Sequence, residues 1–485
     1  MHNYLGLDIG TSGCKAAVFD EGGRMISLAH RDYDLQLTPD GGAELDSDLV
    51  IQHCLAAMAE AKAQAGGEVR AMSVSSQGEA FTAVGRDGKA LCRAMVSSDV
   101  RAASYAREWP KGFGGERLYQ ITGHTAHPLF TLFKLLWLRE HRPEIWSKAA
   151  NFFCFEDLLH LRLGLEPAIG WPLAGRTMLF DVRRHEWNPE ILAAAGLSAD
   201  QMARPLASGS VVGQTKDGML VVTGGHDQPC GALGAGVTQS GVAMYATGTV
   251  DCITPAFAKP VFSETLRQNN LCTYDHVAPE LYTTVAFSLT GGNILKWFRN
   301  EFGQGRSYEE LLAEMSTAPT SLLVLPYWTP SGTPYFDCET PGAILGLRLS
   351  THRGELLRAM LEGVAFEMRL NLGILKNAGV ALDELRLIGG GTRSAVWNQL
   401  RADVLGKPMT RMEVTEAGCL GAAMLACAAD SGRPVNEIAT AWARPGERFE
   451  PDATNSQFYD DQFVRYQQLR PAVRSIIGGK KSCAG

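Results

Sequence analysis

The sequence lacks the cysteine patterns that bind zinc or build a disulfide-rich fold. Its eleven cysteines are scattered from Cys14 to Cys483, with no C-x-x-C pair and no cluster of histidines and cysteines. Scattered thiols of this kind are typical of reduced side chains in a cytoplasmic protein. We therefore expect free thiols rather than disulfides or a zinc site.

Long apolar runs and an excess of basic charge are also missing. The longest apolar run, residues 419–429, is too short to cross a bilayer and predicts a buried helix. No cationic segment followed by an apolar run opens the chain, so we expect no secretory signal, no membrane partner and a cytoplasmic location. The net charge of −7 argues against a nucleic-acid partner, which calls for a basic face. Nucleotides stay open, because backbone amides and a metal ion can hold phosphate.

The composition is that of a globular enzyme, with 45% hydrophobic and 20% charged residues. At 485 residues the chain exceeds one ordinary core, so two or three domains are expected. The 52 glycines indicate many tight turns or close backbone approaches.

The stretch Leu5–Lys15, LGLDIGTSGCK, is the most informative part of the chain. Its apolar rhythm predicts a buried strand with Asp8 near its end, and Gly10–Gly13 predict a tight turn before a second strand. Backbone N–H groups and two hydroxyls in such a turn suit a phosphate, and Asp8 suits a magnesium ion. The stretch lacks the P-loop spacing, and an ordinary hairpin remains the alternative.

The segment Val242–Ile253, VAMYATGTVDCI, repeats this pattern of strand, turn and strand. Thr247, Gly248 and Thr249 form its turn. The repeat predicts a duplicated domain, in which a second phosphate-binding hairpin faces the first across a cleft.

Polar residues at strand ends are candidates for a substrate site. Gln77 and Glu79 follow a predicted strand and suit either sugar hydroxyls or a solvated loop, and Asp99 follows the next strand. Asp227, in the segment GGHDQ, stands where a strand ends and a helix begins. It is either a helix N-cap or a general base that accepts a proton from a substrate hydroxyl.

A triple glycine, Gly389–Gly391, separates a predicted strand from a predicted helix. Glycines there would let a flat base or a ribose lie against the backbone, with Thr392 nearby. The same arrangement also occurs as a turn between strand and helix in unrelated α/β domains.

In this order the motifs resemble the FGGY family of carbohydrate kinases, over the chain from Tyr4 to about Glu447. The segment Gly342–Glu362 fits the C-terminal signature of that family throughout. The N-terminal signature departs only at its first position, Leu129, and is matched by Thr131, Lys134, Trp137, Leu138, Glu140 and His141.

The resemblance implies an α/β fold of duplicated ribonuclease H-like (actin-like ATPase) domains that flank an ATP and sugar cleft. We expect an N-terminal domain over residues 1–240, a C-terminal domain over residues 241–447, and a closing helix and tail over residues 448–485. ATP and Mg²⁺ are the expected cofactors, and a small sugar or polyol is the expected partner. The family includes dimers and tetramers, and a homodimer is expected.

The resemblance also implies a role for each motif residue. Asp8 would position Mg²⁺, and Asp227 would be the catalytic base, with the ordinary carboxylate pKa of about 4. The residues around the ATP phosphates would be Gly10, Thr11, Ser12, Lys15, Thr247, Gly248 and Thr249. Those facing adenosine would be Gly390, Gly391 and Thr392, and those contacting the substrate would be Gln77, Glu79, Asp99, Asp227 and Gln228.

The subfamily stays open between xylulose and glycerol kinases. Members that phosphorylate xylulose tend to carry Met-His where this chain has Gly78-Glu79, whereas glycerol kinases carry Arg-Glu there. Gln228 also resembles the glycerol kinase pattern. Ser97 replaces a tryptophan of many relatives, which would admit a larger or differently shaped substrate. We expect a small open-chain pentulose or polyol.

Two other functions remain as alternatives. A non-catalytic or chaperone-like ATPase of the actin type shares the hairpins and glycines, but it has no use for Asp227 or the Gly342–Glu362 signature. A degenerate, sugar-sensing kinase homologue is disfavoured by the presence of both Asp8 and Asp227. ADP release that depends on a sugar would separate the kinase from both.

Overall fold

The computed structural model describes residues 2–477, and two large mixed β-sheets dominate it. The strands are β1 (Asn3–Ile9), β2 (Gly13–Asp20), β3 (Met25–Asp32), β4 (Gln36–Leu37), β5 (Ala43–Leu45), β6 (Val69–Ser76), β7 (Thr82–Val84), β8 (Ala94–Met95), β9 (Asn151–Phe153), β10 (Ala168–Gly170), β11 (Phe180–Asp181), β12 (Glu186–Trp187), β13 (Arg204–Leu206), β14 (Val211–Gln214), β15 (Leu220–Val222), β16 (Gly225–His226), β17 (Gly241–Thr247), β18 (Asp251–Phe257), β19 (Tyr274–Asp275), β20 (Tyr282–Thr283), β21 (Ala286–Ser288), β22 (Leu323–Leu325), β23 (Ala343–Leu345), β24 (Leu382–Ile388), β25 (Met409–Met412) and β26 (Pro445–Phe449).

Helices surround both sheets. They are α1 (Ser47–Ala65), α2 (Ala103–Phe113), α3 (Gly115–Thr122), α4 (Thr131–His141), α5 (Pro143–Trp146), α6 (Phe155–Arg162), α7 (Trp171–Gly175), α8 (Pro189–Ala195), α9 (Asp227–Gly234), α10 (Glu264–Gln268), α11 (Gly292–Phe302), α12 (Tyr308–Ala313), α13 (Arg353–Asn377), α14 (Ala395–Leu405), α15 (Ala417–Ser431), α16 (Val435–Trp442) and α17 (Ala453–Ile477). Short 3₁₀ turns lie at Ala199–Gln201 and Gly390–Arg393.

The two large sheets are built on the same plan. In the first, β1 pairs antiparallel with β2 and parallel with β6. In the second, β17 pairs antiparallel with β18 and parallel with β24. Both β1 and β17 are therefore central strands with sheet on either side, which explains their near-continuous apolar sequences. The repeated pairing confirms the duplication predicted from the two hairpins.

Helix α15 crosses between the two halves of the chain, because its small residues let other backbones approach. A Cβ atom on Gly6 of β1 would lie 1.8 Å from the carbonyl oxygen of Cys419, and one on Gly421 would lie 2.0 Å from that of Cys230 in α9. The helix thus lies in sequence between β25 and β26 of the second sheet but packs on the first. The domain limits at residues 240 and 447 stay predictions, and residues 478–485 of the predicted tail lie outside the described part.

The thiols agree with the sequence expectation at all but one described position. Nine cysteines within residues 2–477 are free, whereas Cys338 is disulfide-bonded, so the expectation of reduced thiols throughout was wrong there. None of the helices described over residues 2–477 is both long enough and apolar enough to cross a membrane.

Candidate functional site

Hydrogen bonds from Tyr33 and Gln77 stabilise the turn between β1 and β2. The Gly10 N–H donates to the Gly13 carbonyl at 3.0 Å, and the Tyr33 hydroxyl donates to the Gly10 carbonyl at 2.6 Å. Gln77 donates from Nε2 to the same Gly10 carbonyl at 2.8 Å and accepts from the Thr11 hydroxyl at 3.3 Å. Gln77 therefore stabilises the turn. The Ser12 side chain at the tip of the turn is exposed.

Asp8 lies at the end of β1, directly below this turn. Its Oδ1 accepts a hydrogen bond from the Ser75 hydroxyl at 2.5 Å, and its side chain remains partly accessible. Burial raises the pKa of Asp8, and the Ser75 hydrogen bond and the Lys15 charge partly offset that rise. One oriented carboxylate at a phosphate turn is the kind of ligand that Mg²⁺ takes from a protein.

Lys15 lies on β2 opposite Asp8 in the strand register. Its Nζ is 2.8 Å from Oε2 of Glu416, which immediately precedes α15. This pair ties the first hairpin to the helix that joins the two halves of the chain.

The second hairpin, between β17 and β18, is closed by a matching hydrogen bond from the Gly248 N–H to the Val250 carbonyl at 3.0 Å. The start of α11 is anchored to it, because Gly292 and Asn293 donate from their backbones to the Gly248 and Thr249 carbonyls. The hairpin thus has a fixed position between β24 and α11.

The triple glycine lies against this second hairpin. Gly389 has φ +94°, and a Cβ atom there would lie 2.3 Å from the Thr247 carbonyl oxygen. A Cβ atom on Gly391 would lie 1.9 Å from the Thr247 hydroxyl, whereas Gly390 faces open space. Thr392 closes the turn by donating to the Gly389 carbonyl at 2.8 Å. The open face at Gly390 is where a flat ring could approach the backbone.

Asp227 is the first residue of α9, and His226 rather than Asp227 is the N-cap residue, so the N-cap alternative was wrong. His226 Nε2 is 3.1 Å from Asp227 Oδ1, but that buried oxygen has no hydrogen-bond partner among the described residues. On its other side, His226 Nδ1 lies 2.9 Å from the Tyr274 hydroxyl. Tyr274 thereby holds the imidazole beside the carboxylate.

The electrostatics of Asp227 differ from the sequence expectation. Burial, together with the negative charges of Asp8 and Glu79, raises its pKa to about 7. The ordinary pKa expected from the sequence was therefore wrong, because neither burial nor the neighbouring charges can be read along the chain. A carboxylate with that pKa is well matched to proton transfer near neutral pH.

A cavity of about 210 Å³ opens beside Asp227. The predicted residues that it brings together are Thr11, Gln77, Glu79, Asp227 and Gln228. Asp99 is absent from this lining, although Ser97 belongs to it. Asp99 instead accepts from the Ala43 N–H at 3.1 Å and pairs with Arg101 at 2.6 Å, so it supports the loop below the cavity.

Arg176 is the main cavity residue that the sequence did not single out. It forms a buried ion pair with Glu79, whose backbone has φ +63°, and its Nη1 lies 3.2 Å from His124 Nε2. The guanidinium also lies over the rings of Phe130 and Tyr274. The segment around Arg176 has no periodic pattern that would mark this residue as functional. Only the argument that Glu79, if buried, needs a cationic partner could have directed attention to an arginine.

No protein-only metal centre accompanies these groups. Within residues 2–477, no cluster of three or more histidine, cysteine, aspartate or glutamate side chains is arranged to hold a metal ion. A cation at Asp8 would therefore need further ligands from a bound molecule, as Mg²⁺ takes from phosphates.

Comparison with known proteins covers both halves of the chain. A model of the N-terminal domain of the FGGY family of carbohydrate kinases matches residues 3–234, and a model of the C-terminal domain of that family matches residues 240–429. The xylulose kinase of Bacillus subtilis (strain 168) is 28% identical, with 99% of each chain covered. The glycerol kinase of Methylibium petroleiphilum is 29% identical, with 91% of this chain and 94% of that protein covered. A solved structure of a "xyloylose kinase" from Brucella ovis superposes with a TM-score of 0.90 at 27% identity, over 98% of this chain and 100% of that one.

Proposed function

We propose a substrate class and a set of catalytic roles for this chain. The chain belongs to the FGGY family of carbohydrate kinases, has the duplicated actin-like ATPase fold, and is an ATP-dependent phosphotransferase. The proposed acceptor is a hydroxyl of a small open-chain sugar or polyol, such as a pentulose or a glycerol-like polyol. Relatives named xylulose kinase and glycerol kinase support this class. The small cavity beside Asp227 supports a single small molecule as acceptor.

The two hairpins would hold the phosphates of ATP. Residues 10–12 and 248–249 form two turns whose shape the Gly10 and Gly248 N–H groups fix by internal hydrogen bonds, and phosphoryl transfer needs such positioning more than covalent chemistry. The exposed backbone of Gly390 and Gly391 would face the adenosine. Lys15 would add a positive charge beside the first turn.

Asp8 fits a magnesium ion that is shared with the phosphates. Ser75 orients one of its oxygens, and the side chain is partly accessible from the cleft. When bound, Mg²⁺ would neutralise charge on the transferred phosphoryl group.

Asp227 would act as the general base on the acceptor hydroxyl. Its Oδ1 is buried without a hydrogen-bond partner among the described residues, so a substrate hydroxyl that donates to it would satisfy that atom. His226, held by Tyr274, fixes the position of the carboxylate from one side. Glu79 and Gln228 would contact further hydroxyls of the substrate, and Asp99 would position the loop that carries Ser97.

The Asp227 Oδ1 atom, which is buried beside the cavity without a hydrogen-bond partner among the described residues, is the observation that carries this proposal. It is tested by coupled ADP release with ATP, Mg²⁺ and a panel of pentuloses, tetritols, glycerol and hexuloses. We expect one or a few acceptors to stimulate ADP release, and the Asp227→Asn variant to lose that stimulation by about 10²- to 10⁴-fold.

Asp181→Asn is the matched control. Asp181 is buried, lies outside the cavity, and accepts from the Arg183 and Arg184 N–H groups, which an asparagine oxygen can still do. Equal losses in both variants, or slow ADP release that no acceptor stimulates, would contradict the proposal. A homodimer and a cytoplasmic location also stay predictions, to be tested by sedimentation and by fractionation of the source cells.

A further inference from the structure

The lining of the substrate cavity contains two chemically different sets of side chains. The polar set consists of Gln77, Glu79, Arg176, His226, Asp227 and Gln228. The other set, which we call the apolar half, consists of Leu129, Phe130, Val285, Phe287 and Phe336, and it meets the polar set where Arg176 lies over the Phe130 ring. This division bears on which sugars or polyols the cavity prefers, given the kinase function proposed above.

Three residues of the apolar half adjoin one another. Val285 immediately precedes β21 and Phe287 lies within it two residues later, and both are partly accessible, whereas Ala286 and Ser288 are buried. The Phe336 ring packs on the Phe287 ring with centroids 5.5 Å apart.

The polar groups that border this half are mostly engaged with the protein. Asn270 donates from Nδ2 to the Pro334 carbonyl at 2.7 Å, and its Oδ1 accepts from the Thr125 hydroxyl at 3.3 Å. His127 Nδ1 accepts from the Leu129 N–H at 3.2 Å. These contacts leave few groups there that could pair with a substrate hydroxyl.

His127 also presents a largely apolar surface to the cavity. Its ring packs on Phe336 with centroids 4.6 Å apart, and burial together with the charge of Arg176 lowers its pKa to about 4. The ring is therefore neutral at physiological pH, and the Leu129 contact assigns its proton to Nε2. That N–H can serve one substrate oxygen but not a row of hydroxyls.

The geometry points to a substrate with an apolar end. Because the reacting hydroxyl lies at Asp227, the rest of an open chain extends along the remaining lining and reaches Phe287 and Phe336. A hydroxyl placed there would lose its water and could gain at most the His127 Nε2–H as a partner, whereas a methyl group would fill the same space without losing a hydrogen bond. We propose that the preferred substrate is a methyl-terminated (terminally deoxygenated) open-chain sugar or polyol.

The test compares acceptors that differ only in that terminal hydroxyl. Suitable pairs are D-xylulose with 1-deoxy-D-xylulose, D-ribulose with 1-deoxy-D-ribulose, and glycerol with propane-1,2-diol, each measured as kcat/KM by coupled ADP release. We expect the deoxygenated member to be preferred by about 10- to 100-fold in at least one pair.

Variants of one residue check that the apolar half is the cause. Val285→Thr introduces a hydroxyl at nearly constant volume and should reduce the preference several-fold. Val285→Ala is the matched control, because it makes space without adding a polar group and should keep the deoxygenated member ahead.

The outcomes separate this inference from the function on which it rests. If the hydroxylated member is equal or better in every pair that is turned over, the preference is overturned and the kinase stands. If no acceptor stimulates ADP release in the wild-type protein, both the kinase function and the preference fail. If Val285→Thr and Val285→Ala change the ratio equally, the apolar half is not its cause.

Discussion

The two hairpins have the same strand pairing but place their charged residues differently. In each, the glycine that follows the first strand donates to a carbonyl across the turn at 3.0 Å, but the acceptor is Gly13, three residues after Gly10, in one and Val250, two residues after Gly248, in the other. Each is flanked by a parallel strand, and in each that pairing shifts register near its first residues. Aligned on the glycine, Asp8 of the first hairpin corresponds to Ala246 of the second.

The second hairpin carries its carboxylate on the returning strand, and a cation neutralises it. Asp251 is fully buried, accepts from the Tyr245 hydroxyl at 2.7 Å and lies 3.8 Å from the Arg401 guanidinium. Arg401 also donates to the Thr247 hydroxyl at 3.2 Å. Asp8, by contrast, is partly accessible and has a hydroxyl, Ser75, as its hydrogen-bond partner. The first hairpin thus presents charge to the cleft, and the second uses charge to hold its own shape.

Removing the cation that neutralises Asp251 in the second hairpin should have the largest effect on stability. Arg401→Met leaves Asp251 buried without a cation, which should lower the free energy of unfolding by about 3–5 kcal/mol. Urea unfolding followed by circular dichroism measures this. Arg448→Met, at an exposed ion pair, is the control and should change stability by less than about 1 kcal/mol. Equal losses would show that Arg401 has no special structural role.

Removing the carboxylate of the first hairpin should have the opposite outcome, with activity lowered and stability nearly unchanged. Asp8→Asn should lower kcat by about 10²- to 10³-fold, because charge stabilisation of the transferred group is lost. Its melting temperature should stay close to that of the wild type, since a partly accessible carboxylate is removed. Asp251→Asn should lose stability instead. Steady-state kinetics and thermal unfolding of both variants check this, and a stability loss in Asp8→Asn that matches its activity loss would contradict it.

The pH dependence of activity should reflect the surroundings of Asp227, the proposed base. A general base acts in its deprotonated form, so with Asp227 in that role kcat/KM should rise as pH increases through about 7. Glu79→Gln removes a negative charge that raises this pKa and leaves Arg176 unpaired, and both changes should move the rise to lower pH, by about one unit. Glu60→Gln, at a surface ion pair, is the control. A shift to higher pH in Glu79→Gln would exclude Asp227 as the titrating base.

The smallest effect is expected at Lys15. Its pair with Glu416 is partly exposed, so breaking it should cost less than about 1 kcal/mol of stability. If Lys15 serves the phosphates, Lys15→Met should raise KM for ATP several-fold. Glu416→Gln breaks the same ion pair but keeps the ammonium, and should leave KM for ATP unchanged or lower. An equal rise in both variants would assign Lys15 a purely structural role.

Predictions from the sequence were accurate where the signal is local. The apolar spacing over Ser47–Ala65 predicts a helix capped by Asp46 or Ser47. Helix α1 has these bounds, and the side chain of Asp46 is the cap, because it accepts from the Leu49 N–H. Prediction is less accurate around Phe152, because the apolar residues 152–163 by themselves predict a single helix. The structure has the short strand β9 followed by α6, because an apolar run of that length has no periodicity that separates strand from helix.

The sequence by itself determined the two hairpins and the placement of Asp8 and Asp227 at strand ends, because glycine turns and strand alternation are properties of neighbouring residues. Only the tertiary structure decided the rest of the site. The pair of Glu79 and Arg176 and the imidazole held by Tyr274 join residues from distant parts of the chain. The pKa of Asp227 and the apolar half of the cavity arise in the same way, since burial and through-space charge exist only after the chain has folded.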